Sequence, residues 1–285
     1  MQPTIKNIIL KASKELKANK IDTFAIDSQI LLGHAINKDR SFVICNPEFA
    51  VTQEQITIFA DLIKRRLTYE PVSLILGQRE FYSRNFIISK DVLDPRPDTE
   101  LLIDTLKNTY DKFQEFSFLD IGTGSGNITC TILAEFTKSH GFCIDISKKA
   151  LKIAQKNIVL HKLENRAKIL QSNIFENIPK THIFDLIISN PPYIPSKNIE
   201  FLANDVKDFD PKLALDGGES GLEFYEKISK SAKKHLKRGG FLLFEIGFDQ
   251  KKPILQILKE NQFKNIQSFK DLANNDRAII AQKTD

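Results

Sequence analysis

Apolar residues in the first part of the chain recur every three or four positions, which is the period of an α-helix. Within residues 1–76 we find only this helical period. We therefore predict a small bundle of roughly four or five helices over residues 1–76. The positions that carry the pattern are Ile5, Ile8, Ile9 and Ala12, then Ile26, Ile30 and Leu31, then Ile56, Phe59, Ala60, Ile63 and Leu67.

Residues 77–94 have a different pattern. Phe81 and Phe86 flank a short polar turn, which is typical of a β-hairpin. Two prolines follow and stop any strand, and a helix over about residues 98–110 comes next. We therefore interpret residues 77–94 as a hairpin linker between two domains.

The rest of the chain, residues 95–285, alternates between strand and helix patterns. Such alternation builds a mostly parallel sheet with helices on both faces. Two consecutive strands at the end predict a final antiparallel hairpin. The predicted strands cover residues 116–120, 142–145, 167–171, 183–189 and 241–246, with two more near 264–269 and 277–282. The predicted helices cover residues 127–138 and 147–161, about 222–236, and 251–261.

The chain has a small net positive charge, which comes mostly from lysine. A positive charge could indicate a nucleic-acid partner. The 285 residues include 41 Lys and Arg against 36 Asp and Glu, a net charge of +5. Only 9 of these cations are Arg, although Arg is the usual reader of phosphates and base edges. The hydrophobic fraction of 41% permits a packed core. We therefore expect a globular protein with no direct nucleic-acid partner.

Membrane and metal chemistry have little support in the sequence. No apolar run approaches the roughly 20 residues of a membrane span, and the first residues lack the pattern of a secretory signal. Cys45, Cys130 and Cys143 form no CxxC pair, and the histidines have no ligand spacing. We expect a cytoplasmic protein with reduced thiols, no metal ion and no membrane partner.

A glycine-rich loop follows the predicted strand that ends at Asp120 and opens a predicted helix. Its sequence is Gly122-Thr123-Gly124-Ser125-Gly126. Glycines let the backbone approach a ligand closely, and the helix N-terminus adds N–H donors. Asp145 ends the next predicted strand, where a carboxylate can accept from both hydroxyls of a ribose. A dinucleotide fingerprint would need its third glycine at position 127, which is Asn, and a plain tight turn is the other alternative.

The tetrapeptide Asn190-Pro191-Pro192-Tyr193 follows the fourth strand of the alternating series. A planar NH₂ group is a poor nucleophile because its lone pair is delocalised. The Asn190 side-chain oxygen and the Pro191 carbonyl can each accept one N–H from such a group, which favours positive charge on the nitrogen. The prolines hold the carbonyl in place, and Tyr193 offers a ring face. The motif predicts alkylation of a planar NH₂ group, a proline-rich turn being the alternative.

With Asp120, the glycine loop resembles the first motif of S-adenosylmethionine-dependent methyltransferases. Asn-Pro-Pro-Tyr after the fourth strand resembles those that act on adenine, cytosine or glutamine. Further matches resemble the protein-(glutamine-N5) methyltransferase family and, within it, the peptide chain release factor branch. They are Gly77-x-x-Glu80-Phe81-Tyr82 with Phe86, Val92-Leu93-x-Pro95-Arg96-Pro97-Asp98-Thr99-Glu100, Asp210-Pro211, Ala214-Leu215-x-Gly217-Gly218, Gly221-Leu222, Glu245-Ile246-Gly247 with Gln250, and Asn275-Asp276-Arg277.

The resemblance implies a class I, Rossmann-like α/β fold, with a seven-stranded mostly parallel sheet, a terminal antiparallel hairpin and an N-terminal helical bundle. Residues 95–285 would be the catalytic domain, and residues 1–76 would recognise a substrate protein. The segment from Pro95 to Glu100 would wall the active site, the alternative being only a kink that starts a helix.

The resemblance also implies roles for individual residues. The cofactor S-adenosylmethionine would contact Gly122, Thr123, Gly124, Ser125, Gly126, Asp145, Asn173, Ile174 and Asn190. The catalytic residues would be Asn190, Pro191 and Tyr193, which together with Pro192 would also bind the substrate amide. Asn173 stands where the family usually has an Asp that accepts from the adenine amino group. Its side-chain oxygen can still accept, but without the charge.

The implied reaction is methylation of the side-chain amide nitrogen of the glutamine in the Gly-Gly-Gln motif of a release factor. Its products would be N5-methylglutamine and S-adenosylhomocysteine. A glutamine methyltransferase of a large-subunit ribosomal protein is the nearest alternative. An adenine-N6 nucleic-acid methyltransferase would need an Arg-rich surface that the charge distribution does not show. A cofactor-binding adaptor without activity would not need the intact motif at residues 190–193.

Overall fold

The computed structural model describes residues 2–285, and its contacts divide the chain into two compact units. The first unit runs to Gly77 and includes Asn204–Phe209, and the second comprises Gln78–Ala203 and Asp210–Asp285. The hairpin therefore groups with the second unit. Within the described residues, no helix has the length and apolar character to cross a membrane.

The first unit is the predicted helical bundle. Amphipathic faces of its helices meet in one core that contains Leu16, Leu31, Leu32 and Phe59. Inside this core the Arg66 guanidinium pairs with Asp27 at 2.8 Å, which compensates both buried charges. The helices are α1 (Ile5–Ala18), α2 (Phe24–Ala35), α3 (Arg40–Cys45), α4 (Gln53–Leu67) and α5 (Val72–Leu76).

The second unit contains a two-stranded hairpin and a seven-stranded sheet, and it confirms the predicted fold class. The strand order in the large sheet is β5-β4-β3-β6-β7-β9-β8. Its strands pair in parallel from β5 to β7, whereas β9 is antiparallel to both of its neighbours. The strands are β1 (Gln78–Phe81), β2 (Arg84–Ile87), β3 (Ser117–Ile121), β4 (His140–Asp145), β5 (Ala167–Gln171), β6 (Phe184–Ser189), β7 (Leu236–Glu245), β8 (Lys264–Lys270) and β9 (Asp276–Gln282).

Helices cover both faces of this sheet, because alternate residues of each buried strand point to opposite sides. One core contains Phe118 and Leu186, and the core on the other face contains Leu119 and Ile187. The helices of the later chain are α6 (Glu100–Lys107), α7 (Asn127–Glu135), α8 (Lys148–Leu160), α9 (Asn204–Lys207), α10 (Lys212–Leu215), α11 (Glu223–Ala232) and α12 (Lys251–Glu260).

Several predicted element boundaries were wrong, most of all near residues 222–246 and 98–110. The helix predicted over about 222–236 ends at Ala232, because β7 already begins at Leu236, which pairs with Phe184. The strand predicted over 241–246 is therefore longer at its start, and Gly239 and Gly240 lie inside it, where its pairing with β6 is irregular. The helix predicted over 98–110 is α6, which follows a 3₁₀ turn at Pro97–Thr99 and is shorter than expected.

The strand order determines where a ligand can bind. The chain passes outward from β3 through β4 to β5 and then returns to the opposite side of β3 to form β6. At such a reversal the loops after adjacent strands diverge and leave a crevice at the carboxyl edge of the sheet. The glycine loop follows β3, Asp145 is the last residue of β4, and Asn190 follows β6, so that all three lie at this edge.

Candidate active site

A cavity of about 200 Å³ lies at the carboxyl edge of the sheet. Most of the residues that the sequence singled out line this cavity, although they come from four separate strand ends. Only Gly126 and Tyr193, of the predicted site residues, are not part of its lining. The predicted site residues that line it are Gly122, Thr123, Gly124, Ser125, Asp145, Asn173, Ile174, Asn190, Pro191 and Pro192.

The glycine loop adopts a backbone that leaves room for a ligand. The three glycines have φ angles of +74°, +56° and +79°, a region that residues with a Cβ rarely adopt. A Cβ on Gly122 would meet no atom within 4 Å, and on Gly124 it would meet only the Gly122 carbonyl at 4.0 Å. By contrast, a Cβ on Gly126 would lie 3.2 Å from Ala154 of α8. The first two glycines thus form an open cradle, and the third allows two helices to pack closely.

Asp145 holds the cradle from the side of β4. Its Oδ2 accepts from the Gly124 N–H at 3.0 Å, and its Oδ1 accepts from the Ser147 N–H at 2.8 Å. Burial raises the pKa of Asp145, and these two backbone bonds oppose the shift. Each carboxylate oxygen can accept a further hydrogen bond. The carboxylate therefore keeps acceptor capacity at the cavity, and the ribose contact predicted for it stays a prediction.

Asp120 supports the loop from beneath. Its Oδ2 accepts from the hydroxyls of Thr123 and Thr129, both at 2.7 Å, and its side chain is fully buried. Its Oδ1 has no hydrogen-bond partner among the described residues. Burial raises the pKa of Asp120 to about 6, although the two threonine hydroxyls lower it. This carboxyl therefore connects the loop to α7 and keeps acceptor capacity inside the protein.

Asn173 and Ile174 line the cavity after β5. The Asn173 Nδ2 donates to Glu176 Oε1 at 2.7 Å, which leaves the Asn173 Oδ1 as the free polar end of the amide. Ile174 has a φ of +51°, which is rare for a β-branched residue. The Ser172 hydroxyl donates to the Ile174 carbonyl at 2.9 Å and holds this conformation. Such strain is common at ligand sites.

The Asn190 amide has a definite orientation. Its Nδ2 donates to Thr99 Oγ1 at 3.3 Å, so its Oδ1 points away from Thr99. The preceding residue, Ser189, donates through its hydroxyl to the Ile121 carbonyl at 2.8 Å and fixes the end of β6 against β3. Asn190 therefore presents an acceptor in a cavity that the glycine loop also lines.

Tyr193 contributes to the motif in another way. Its ring packs against a core cluster, and burial raises the pKa of its hydroxyl to about 12. Its carbonyl accepts from Gln250 Nε2 at 2.9 Å, and the same amide also donates to the Gly221 carbonyl. Tyr193 thus anchors the Asn-Pro-Pro-Tyr motif to the core, and its predicted contact with a substrate stays a prediction.

The segment from Pro95 to Glu100 forms part of the cavity wall, as the resemblance implies. Pro95, Arg96 and Thr99 line the cavity. Arg96 pairs with Asp210 at 2.5 Å, and Asp98 pairs with Arg277 at 3.2 Å. The segment is thus fixed by charges that come from distant parts of the second unit.

Two important residues were not singled out as site residues. Asn157 of α8 is fully buried and bonds to both the hairpin and the glycine loop. A signal for it exists, since it is an amide on the apolar face that carries Ile153 and Ala154. Glu245, an acid at the end of an apolar strand, is only 2% exposed and lies beside the Asn190 motif. Its carboxyl has a pKa raised to about 7 by burial.

Comparison with known proteins gives consistent matches. A family described as "Methyltransferase small domain" matches residues 78–205, and one described as "PrmC N-terminal domain" matches residues 7–77. A release factor glutamine methyltransferase of Clostridium botulinum is 40% identical over 98% of this chain and 99% of its own length. Its counterpart in Clostridium acetobutylicum is 37% identical over 97% and 98%.

A solved structure has the same fold at much lower sequence similarity. It is described as a methyltransferase from Pyrococcus furiosus, with a TM-score of 0.56 and 18% identity. The match covers 78% of this chain and 98% of the other.

Proposed function

Because the chain belongs to the family of release factor glutamine methyltransferases, we propose that it methylates a glutamine side chain of a peptide chain release factor. The methylated atom is the amide nitrogen of the glutamine in the factor's Gly-Gly-Gln motif. The products are N5-methylglutamine and S-adenosylhomocysteine. The observation that carries the proposal is similarity at 40% identity over nearly the full length of a curated enzyme.

The residues around the cavity fit S-adenosylmethionine as the cofactor. The glycine cradle is open, which suits close approach of a ligand to the backbone. Asp145 offers acceptors for ribose hydroxyls, and the Asn173 Oδ1 offers one for the adenine amino group. Ile174 supplies an apolar surface for the ring. When bound, the cofactor supplies an electrophilic methyl group on a sulfonium.

The chain's own contribution to the reaction is to hold a neutral amide. Asn190 Oδ1 and the Pro191 carbonyl accept the two N–H groups of the substrate amide, which fixes the position of its nitrogen. These acceptors also stabilise positive charge as it develops on that nitrogen. A strong general base is not required, since the alkylated nitrogen becomes acidic and loses its proton late.

The proposed partner is a protein of the translation apparatus, so the proposal includes a cytoplasmic location. The match of residues 7–77 to an N-terminal domain of this family supports a role for the first unit in recognition of the substrate protein. The match of 78–205 to the methyltransferase domain supports catalysis by the second unit.

The experiment is methyl transfer from labelled S-adenosylmethionine with the full chain. An intact release factor is the substrate, and the same factor with Gly-Gly-Gln changed to Gly-Gly-Ala is the control. We expect label on the first and none on the second. Large-subunit ribosomal protein and nucleic acid are tested in parallel. Label that persists on the Gly-Gly-Ala factor, or that appears only on another substrate, contradicts the proposal.

A further inference from the structure

Glu245 lies beside the residue that we assign to the substrate amide. The parallel register of β6 and β7 pairs Ser189 with Phe244, so the next residues of the two strands are Asn190 and Glu245. The Glu245 side chain is almost completely buried, and its Oε2 has no hydrogen-bond partner within residues 2–285. The carbonyl of the same residue accepts from the Tyr225 hydroxyl at 3.0 Å, which fixes the strand end. A buried carboxyl here needs an explanation beyond packing.

When Glu245 is ionised, the hydrogen bonds among Glu245, Thr99 and Asn190 can run in only one direction. An ionised carboxylate can only accept, and the Thr99 hydroxyl and the Asn190 amide both lower the pKa of Glu245, as groups that donate to it do. The Thr99 oxygen then accepts, and its donor is Asn190 Nδ2 at 3.3 Å. A planar amide whose nitrogen faces Thr99 directs its oxygen the other way. A protonated Glu245 can donate to the Thr99 oxygen, which frees the Thr99 hydroxyl to donate to the Asn190 oxygen. The Asn190 amide then has no preferred orientation.

We propose that Glu245 is a positioning residue, which both directly and through Thr99 orients the Asn190 amide so that its oxygen faces the substrate nitrogen. The inference rests on the proposed function, since it deepens the role of Asn190 there. The inference goes beyond the proposed function because it assigns the active orientation of Asn190 to the ionised form of Glu245. The protein is then most active where this buried acid is ionised.

The groups that face Glu245 are compatible with a titration near neutral pH. Burial raises its pKa to about 7, while the Thr99 hydroxyl, Arg277 and the Asn190 amide lower it and Asp98 raises it. Arg277 comes from β9, and its ion pairs are with Asp98 at 3.2 Å and with Asp271 at 3.3 Å.

Two phenols complete the surroundings, Tyr193 after β6 and Tyr225 from α11. Burial raises the pKa of both, so that both are neutral at pH 7. No ion pair within the described residues neutralises Glu245 directly.

The first test is the pH dependence of kcat/KM for methylation of the release factor. For the wild type we expect kcat/KM to rise with pH, to be half-maximal near pH 7 and to level off about one pH unit higher, because the ionised form is active. Glu245→Gln should lose this rise, because a neutral amide cannot impose one direction. Its kcat should fall about tenfold while the Kd for S-adenosylmethionine changes less than about threefold.

Variants of Thr99 and a matched acid separate positioning from structure. Thr99→Val should lower kcat about tenfold, because it removes the hydroxyl that bridges Glu245 and Asn190 while their direct contact remains. Thr99→Ser keeps the hydroxyl and should retain most of the turnover that Thr99→Val loses. Asp185→Asn is the control, since Asp185 is a partly buried acid of β6 that bonds to Ser117 and Lys237 away from the cavity. It should keep the wild-type pH profile.

A second measurement does not depend on the substrate. The side-chain NH₂ signals of Asn190, assigned by their loss in Asn190→Ala, should titrate in the wild type with a midpoint near pH 7 and should not titrate in Glu245→Gln. If these signals are independent of pH, or if Glu245→Gln keeps the wild-type profile, the inference is wrong. If the wild type transfers no methyl group to a release factor while Asn190 still titrates, only the proposed function fails.

Discussion

Asn157 of α8 exchanges two hydrogen bonds with Ile87 of the hairpin. The Asn157 Oδ1 accepts from the Ile87 N–H at 2.7 Å, and its Nδ2 donates to the Ile87 carbonyl at 2.8 Å. The same Nδ2 also donates to the Ser125 carbonyl at 2.8 Å. One buried side chain thus connects the strand of the hairpin to the glycine loop.

Asn157→Ala should therefore destabilise the second unit and weaken cofactor binding together. The substitution leaves backbone groups of Ile87 and Ser125 without partners inside the protein, at a cost of about 2–4 kcal/mol. We expect this loss in the free energy of unfolding from denaturant titration, with a higher Kd for S-adenosylmethionine by calorimetry. Gln256→Ala, on the exposed face of α12, is the control and should stay within about 0.5 kcal/mol of the wild type. A variant as stable as the wild type would contradict this connection.

Asn190→Ala should remove most of the methyl transfer while leaving cofactor affinity partly intact. The reason is that the substitution removes the acceptor for the substrate N–H, and removing one such oriented group lowers kcat by about a hundredfold or more. Single-turnover rates and cofactor Kd values should be measured on the same preparation. Turnover equal to that of the wild type would refute the role assigned to Asn190.

The glycines of the loop should respond differently to alanine. Both Gly124→Ala and Gly126→Ala place a Cβ on a left-handed backbone, at a cost of about 1–2 kcal/mol. Only the Gly126 variant also pushes a methyl group against Ala154, at 3.2 Å. Thermal unfolding should therefore show the larger loss for Gly126→Ala. Gly124→Ala should mainly raise the Kd for the cofactor. Equal losses of stability would argue against close packing of α8 on the loop.

Replacing Asn173 by the residue usual in the family should not strengthen cofactor binding in this chain. Asn173→Asp would place a carboxylate where the amide now donates to Glu176 at 2.7 Å, and the two acids repel. We expect an unchanged or higher Kd for S-adenosylmethionine. The double variant Asn173→Asp with Glu176→Gln removes the repulsion and should bind more tightly than either single variant. Additive effects in this double-mutant cycle would exclude the coupling.

The buried acids should make stability fall as pH rises. Burial raises the pKa of Glu245 from 4.5 to about 7 and that of Asp120 from 3.8 to about 6. The folded state therefore binds more protons than the unfolded state, so stability from these groups is complete below about pH 4 and is lost by about pH 7. Glu245→Gln should raise Tm at pH 8, by about 2–4 °C for each kcal/mol recovered, and this gain should shrink at pH 5. A gain that does not depend on pH would contradict this cause.

The elements of the second unit were largely predictable, because apolar strands bounded by glycine and proline have a clear pattern. The strand from Ala167 to Gln171 has the predicted bounds. The sequence could not show that β7 begins at Leu236, because its early pairing with Phe184 depends on a tertiary irregularity in the ladder. The short helices between Ser196 and Leu215 were not predicted, since segments of four to six residues carry too little periodicity.

The sequence could place Asp145 and Asn190 at one edge of the sheet, because each has a polar side chain at the end of an apolar strand, and both line the cavity there. The support behind these residues was harder to predict. The relation of Glu245 to Asn190 depends on the order of strands in the sheet, which places β7 next to β6. The bonds of Asn157 depend on how α8 lies against the hairpin, which no local pattern specifies.

The order of strands also affects how the chain folds. The central strand β3 pairs on one side with β6, and the bond between Ser117 and Asp185 spans 68 residues. Pairing between positions so distant is slow, because a long loop must close before any contact forms. A nascent chain that has emerged only as far as Gln171 can pair β3 with β4, but it leaves the other edge of β3 open. The edge is covered, and the crevice beside it forms, only after β6 has been synthesised. Until then the open edge of β3 can aggregate with other chains.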